Sequence, residues 1–117
     1  MDDVSGVEIV EQWIERTRLP SDSAEWVENR QQVLAAFLDS IDKSAEEIVA
    51  YCFLRKRETG ERFVSTKRRG QVNAWIDTFA EESGWEGKEQ VANANIIRSF
   101  LIHSGVPIGG SRTWTGG

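Results

Sequence analysis

Val72, Trp75, Ile76, Phe79 and Ala80 recur at i, i+3, i+4, i+7 and i+8, which puts all five on one face of an α-helix. A strand would scatter the same set over both of its faces. The helical period runs through the rest of the chain. Val7, Val10, Trp13 and Ile14 mark a first helix that ends at Leu19-Pro20. Either Asp22 or Ser23 can cap a second, whose body begins at Glu25 or Trp26 and whose face is Val27, Arg30, Leu34, Phe37, Leu38 and Ile41. Ser44 followed by Glu47 is a capping-box signature. The stripe of that third helix is Ala45, Ile48, Val49 and Cys52, with Phe53 alongside. Ser65 or Thr66 caps the fourth, which Ser83-Gly84 ends. The fifth runs from about Lys88 to His103, with Val91, Ala94, Ile97, Phe100 and Leu101 inward and Gly105 at C′. Four to five short helices with short connections predict an all-α fold, a compact bundle over residues 1–108. ERFV is the only stretch with a hint of extended chain. The remainder, VPIGGSRTWTGG, has no periodicity and reads as a linker or frayed tail, with 109–117 as its Gly-rich part.

At 117 residues the chain has the length of one domain and can bury a core without staples. Five tryptophans and five phenylalanines argue against disorder. The lone cysteine, Cys52, excludes an internal disulfide and any multi-cysteine metal site, as a reducing cytoplasm would favour. No apolar run is long enough for a membrane span, and the start MDDVSGVEIV is acidic rather than signal-like. A cytoplasmic protein is expected.

Charge is distributed unevenly. RKRETGERFVSTKRR (55–69) holds Arg55, Lys56, Arg57, Arg62, Lys67, Arg68 and Arg69, seven of the fourteen positive residues, against Glu58 and Glu61. Its local balance is +5 in a chain of −5. The helical reading makes this stretch the end of helix three, a turn at Thr59-Gly60 and the first turn of helix four. Arg55, Lys56 and Arg57 would then suit the negative end of a helix dipole, whereas Lys67, Arg68 and Arg69 would oppose the positive end. Two readings follow: a solvated basic loop, or a surface that meets a polyanion. Three successive unfavourable placements favour the second. A phosphate there would also meet free backbone N–H groups and the hydroxyls of Ser65 and Thr66. The acidic remainder excludes an indiscriminate nucleic-acid coat and leaves one attractive face. On the fifth helix, Gln90, Asn93, Asn95 and Arg98 lie off the main apolar stripe; Asn, Gln and Arg can bond base edges bidentately, although amides on an exposed face are common.

At IIRSFLIHSGVPI (96–108), taken with the order of SAEWVENRQQVLAAFL, SAEEIVAYC, STKRRGQVNAWIDTFAEESG and ANANIIRSFLIHSGVPI, the chain resembles a known family. This is the N-terminal core-binding (SAM-like) domain of tyrosine recombinases and of phage or archaeal integrases. The resemblance covers about residues 21–108. It implies a helical bundle forming half of a clamp around double-stranded DNA, a role in DNA recombination and integration, and partnership with a C-terminal catalytic domain or other protomers. Carried over, Lys67, Arg68 and Arg69 are the basic helix start, Asn93, Asn95 and Arg98 lie on the final helix, and Arg30 on the long second helix. Ser65, Thr66, Arg55, Lys56, Arg57 and Arg62 complete the expected DNA-binding set.

No catalytic residue is expected here. The only tyrosine, Tyr51, sits inside a helix without a flanking motif and reads as half-buried packing, and the only histidine, His103, suits a helix C-terminus. Cys52, on an apolar stripe, reads as a small hydrophobe. Glu46-Glu47 and Glu81-Glu82 point apart, as helix neighbours do. Trp26 and Trp85, at segment edges, read as packing residues. No Walker motif, dinucleotide fingerprint or metal-ligand spacing appears, so neither cofactor nor metal is expected. Trp114 either docks back on the bundle or awaits a second domain. The rival reading is a small acidic helical module for protein–protein interaction, its basic cluster and exposed tryptophans serving as anchors.

Overall fold

The computed structural model describes residues 7–108. Five helices and one hairpin follow in order: α1 (Glu8–Thr17), α2 (Ala24–Ser40), α3 (Ala45–Tyr51), β1 (Phe53–Arg55), β2 (Arg62–Val64), α4 (Thr66–Glu82) and α5 (Gly87–His103). The architecture is mostly helical, and the hairpin corrects the all-α expectation.

Capping fixes the helix boundaries. Ser23 accepts from the Trp26 N–H at the start of α2, and Ser65 from the Arg68 N–H at the start of α4. Ser44 and Glu47 form the expected reciprocal box at α3. At the end of α5, Gly105 has φ +97°, the Val106 N–H donates to Leu101 O and the Gly105 N–H to Ile102 O. That 6→1 and 5→2 pair satisfies the last carbonyls and reverses the chain.

Buried against α1, α2 and α4, α5 is the central helix. Trp13 donates to Ser99 Oγ at 3.0 Å and meets Phe100 edge-on at 5.5 Å. Phe37, Phe79 and Trp85 form a second edge-on series that ties α2 to α4 and to the α4–α5 turn. The apolar members of the expected stripes of α1, α2 and α4 are buried or pack against the core, Arg30 of α2 being the exception, and Val33 and Ala35 join them from α2. On α5 the second turn differs, since Val91 is 61% exposed while Asn93 is buried.

Helix α3 stops at Tyr51 instead of continuing into the arginines. The next residues pair antiparallel with Arg62–Val64, in the register Phe53↔Val64, Leu54↔Phe63 and Arg55↔Arg62. Ser65 N–H to Cys52 O at 2.8 Å closes the root of the hairpin. Arg57–Gly60 is its loop, with Gly60 at φ +73°, a conformation that an L side chain strains to adopt. Residues 106–108 depart from the linker reading of the aperiodic C-terminal stretch. Val106 and Ile108 are core residues, so the segment read as the start of a linker packs with the bundle. Residues 109–117, Trp114 among them, lie outside the described residues.

Candidate nucleic-acid interface

Ten consecutive residues, Leu54 to Phe63, are exposed. They carry Arg55, Lys56, Arg57 and Arg62 on a short two-stranded ribbon standing off the body. The exposed Thr66 and Lys67 begin α4 at its root. Phe53 and Val64 lie on the ribbon face that packs against the core. Strand alternation puts Arg55 and Arg62 on that same face, further out. The Arg62 guanidinium lies 3.7 Å from the Phe53 ring centroid, and Arg55 Nη1 donates to Gly60 O at 2.9 Å. With Ala50, Phe53 and Leu54 the two arginines line a recess of about 280 Å³. Like charges set directly opposite across strands repel one another. The ring and the carbonyl hold this pair in place, and an anion between them would relieve the repulsion. Lys56 is paired with Glu61 at 3.1 Å.

The rest of the expected set divides differently. Arg68 Nη1 donates to Tyr51 O at 3.2 Å, satisfying a terminal carbonyl of α3, and its guanidinium lies over the Tyr51 ring. Arg69 Nη1 donates to Pro107 O at 2.9 Å. Two of the three cations in the first turn of α4 thus have internal work as braces. An external anion is not needed to explain them, which corrects the dipole argument. Ser65 is buried, its hydroxyl committed to the helix cap. Arg98 is also buried: Nε donates to Asn73 Oδ1 at 2.8 Å and Nη2 pairs with Asp77 Oδ1 at 2.7 Å. With Asn93 buried as well, Asn95 is the exposed member of that α5 trio. Arg68 and Arg69 are turned to internal carbonyls and Asn93 and Arg98 are buried, so these four do not make one continuous DNA-facing surface. Arg30 stacks 4.2 Å over Trp26 on its own helix, and burial lowers its pKa while Asp22 partly offsets that.

Tyr51 is half-buried, as expected, and more engaged than a packing role suggested. It stacks on Trp75 at 5.4 Å, hydrogen-bonds Gln71 through its hydroxyl, and lies beneath both Lys43 and Arg68. Among the described residues there is no cluster of potential metal ligands, and no helix is long and apolar enough to cross a membrane.

Cys52, at the hairpin root, is fully buried and free. Burial pushes its thiol pKa up, against a smaller downward pull from Arg68 and Arg69. The native thiol should therefore resist Ellman's reagent, reacting only as fast as the root opens; immediate stoichiometric reaction would contradict its burial. A thiol that stays neutral in the fold contributes stability below its unfolded pKa. That contribution is lost as pH rises past the ordinary cysteine range, because the unfolded chain ionises first. Urea midpoints of wild type and Cys52→Ala should converge in alkaline buffer.

In comparisons with known proteins, no family model, curated protein or solved structure matches the chain.

Proposed function

We propose that the chain binds duplex DNA through the 53–64 hairpin and the first residues of α4, as a non-catalytic module. The observation that carries this reading is the exposure of Arg55, Arg57, Arg62 and Lys67 around one protruding ribbon of an acidic protein. Phosphate contacts by such side chains position a protein on DNA without reading its sequence. The acidic body disfavours other orientations. The further assignment, to the core-binding half of a tyrosine recombinase with a catalytic domain and other protomers as partners, rests on the resemblance of residues 21–108 alone.

Titrating the chain into a labelled duplex of about 30 base pairs over a salt series should give log K against log salt with a slope of about −3 to −4, near 0.9 per phosphate contacted. Arg57→Glu/Arg62→Glu should flatten that slope by about two contacts. Arg98→Met, for all its cost to the fold, should leave the slope of the folded fraction unchanged. Absence of binding at low salt would overturn the DNA reading and leave the hairpin to a protein partner or to solvent.

A further inference from the structure

Arg55 and Arg62 are cations that the fold sets against each other without an acid. Strand pairing places them directly opposite, on the ribbon face shared with Phe53 and Val64. Among the described residues no carboxylate pairs with either. Arg68 and Arg69 differ, since their donors end on carbonyls of the body. The nearby end of α3 does not call for two more donors. The Cys52 N–H already serves Val49 O and Ala50 O, and Arg68 serves Tyr51 O. Both guanidiniums are nevertheless held. Arg62 lies over the Phe53 ring, and that ring seats against the turn after α5, where a Cβ on Gly105 would lie 3.8 Å from Phe53 Cζ. Stacking uses the face of the Arg62 guanidinium and leaves its N–H edge free. Arg55 uses one donor on Gly60 O, in a loop closed by Gly60 N–H to Lys56 O at 2.8 Å and Lys56 N–H to Glu61 O at 2.9 Å.

The two arginines share a recess of about 280 Å³ with Ala50, Phe53 and Leu54. That volume is near the lower bound of about 300 Å³ for small-molecule sites, and more than a bare phosphate ion fills. Its lining is divided between two forks of N–H donors and three apolar residues. Charge and shape together select the occupant. A carboxylate or a phosphodiester brings one negative charge to two guanidiniums. A phosphate monoester brings about −1.5 to −2 near neutral pH, and its three oxygens suit forks that bond bidentately. We propose that this recess binds the phosphate monoester of a small molecule, with the phosphate between Arg55 and Arg62 and a compact apolar body against Ala50, Phe53 and Leu54. The site stands whether or not the chain binds DNA, whose backbone phosphates are singly charged diesters.

Phenyl phosphate is the probe, titrated at about pH 7.5, where it is a dianion, into the isotope-labelled full chain while NMR follows the arginine Nε–H signals. Those of Arg55 and Arg62 should move together and saturate, with a Kd of about 0.1–1 mM. Phenyl sulfate has the same shape and one charge fewer, and should bind about tenfold more weakly. Inorganic phosphate lacks the apolar body and should also bind about tenfold more weakly. Arg55→Gln and Arg62→Gln should each weaken phenyl phosphate by about tenfold or more. Lys88→Gln removes the same charge at the other end of α5 from Gly105, and should leave the Kd within about twofold. A thermal melt of each variant checks that the fold is intact, and the three ligands on wild type need no variant. No saturable shift at Arg55 and Arg62 would overturn the site. Equal affinity for phenyl sulfate would overturn its selection of a dianion, and equal affinity for inorganic phosphate would overturn the ester. A matching loss in Lys88→Gln would reduce the effect to diffuse charge and overturn the recess as its seat. No nucleic acid enters this titration, so its outcome and that of the duplex titration above are separate.

Discussion

Replacing Arg98 by methionine is expected to destabilise the chain by about 3 kcal/mol, the lower end of the cost of breaking a buried pair. Its side chain is 8% exposed, and two of its donors are used at 2.7 and 2.8 Å on Asp77 and Asn73. Methionine can follow much of the arginine stem but leaves both oxygens without these donors. Asp77 is 34% exposed, so water can reach part of it, which keeps the cost from the top of the range. In a domain of this size the melting temperature should fall by about 10–20 °C. A circular-dichroism melt reads this directly. Adding Asp77→Leu should recover part of the loss, because it removes the carboxylate whose charge Arg98 had balanced. An unchanged melt for the single variant would mean that Arg98 is not an internal brace and would reopen its case as a surface contact.

Val106→Ala/Ile108→Ala should cost about 4 kcal/mol, from two buried aliphatic side chains cut back in a packed core. Val106 is fully buried and Ile108 is 5% exposed. Between them, Pro107 O accepts from Arg69, so the loosened segment would also weaken a hold on the first turn of α4. Against a typical total of about 5–15 kcal/mol, a loss of this size moves the urea midpoint far down. If residues 106–108 were the linker that their glycine-rich surroundings suggested, the midpoint would not move.

The helices were legible because each repeats its apolar period over several turns and is bounded by local signals. Ser44 with Glu47, Ser65, Ser83-Gly84 and Gly105 all act where their spacing placed them. The hairpin was not legible for the opposite reason. Three residues per strand are too few to establish a period of two, and Phe53–Arg55 becomes a strand only by pairing with Arg62–Val64. The turn at Thr59-Gly60 was recognised, but what it connects depends on chain outside the turn. The site residues failed in a related way. A cation looks the same in sequence whether it meets solvent or a distant carbonyl. Arg98 finds its partners 21 and 25 residues away on α4, and Arg69 finds Pro107 38 residues away. Asn73 and Asp77, one turn apart on α4, were the available hint that an inward cation was needed.

The hairpin depends on the body through few residues: Phe53 and Val64 pack on the core, and the Ser65–Cys52 bond closes the root. The exposed positions beyond them, Gly60 with its positive φ apart, can be exchanged with little penalty to folding, since surface substitutions away from special features usually change stability by no more than about 0.5 kcal/mol. Selection on what the ribbon touches is thereby uncoupled from selection on whether the protein folds. A lineage could retune its target by drifting through loop sequences, while a change at Arg98 or Ile108 would be removed before its effect on binding could be tried.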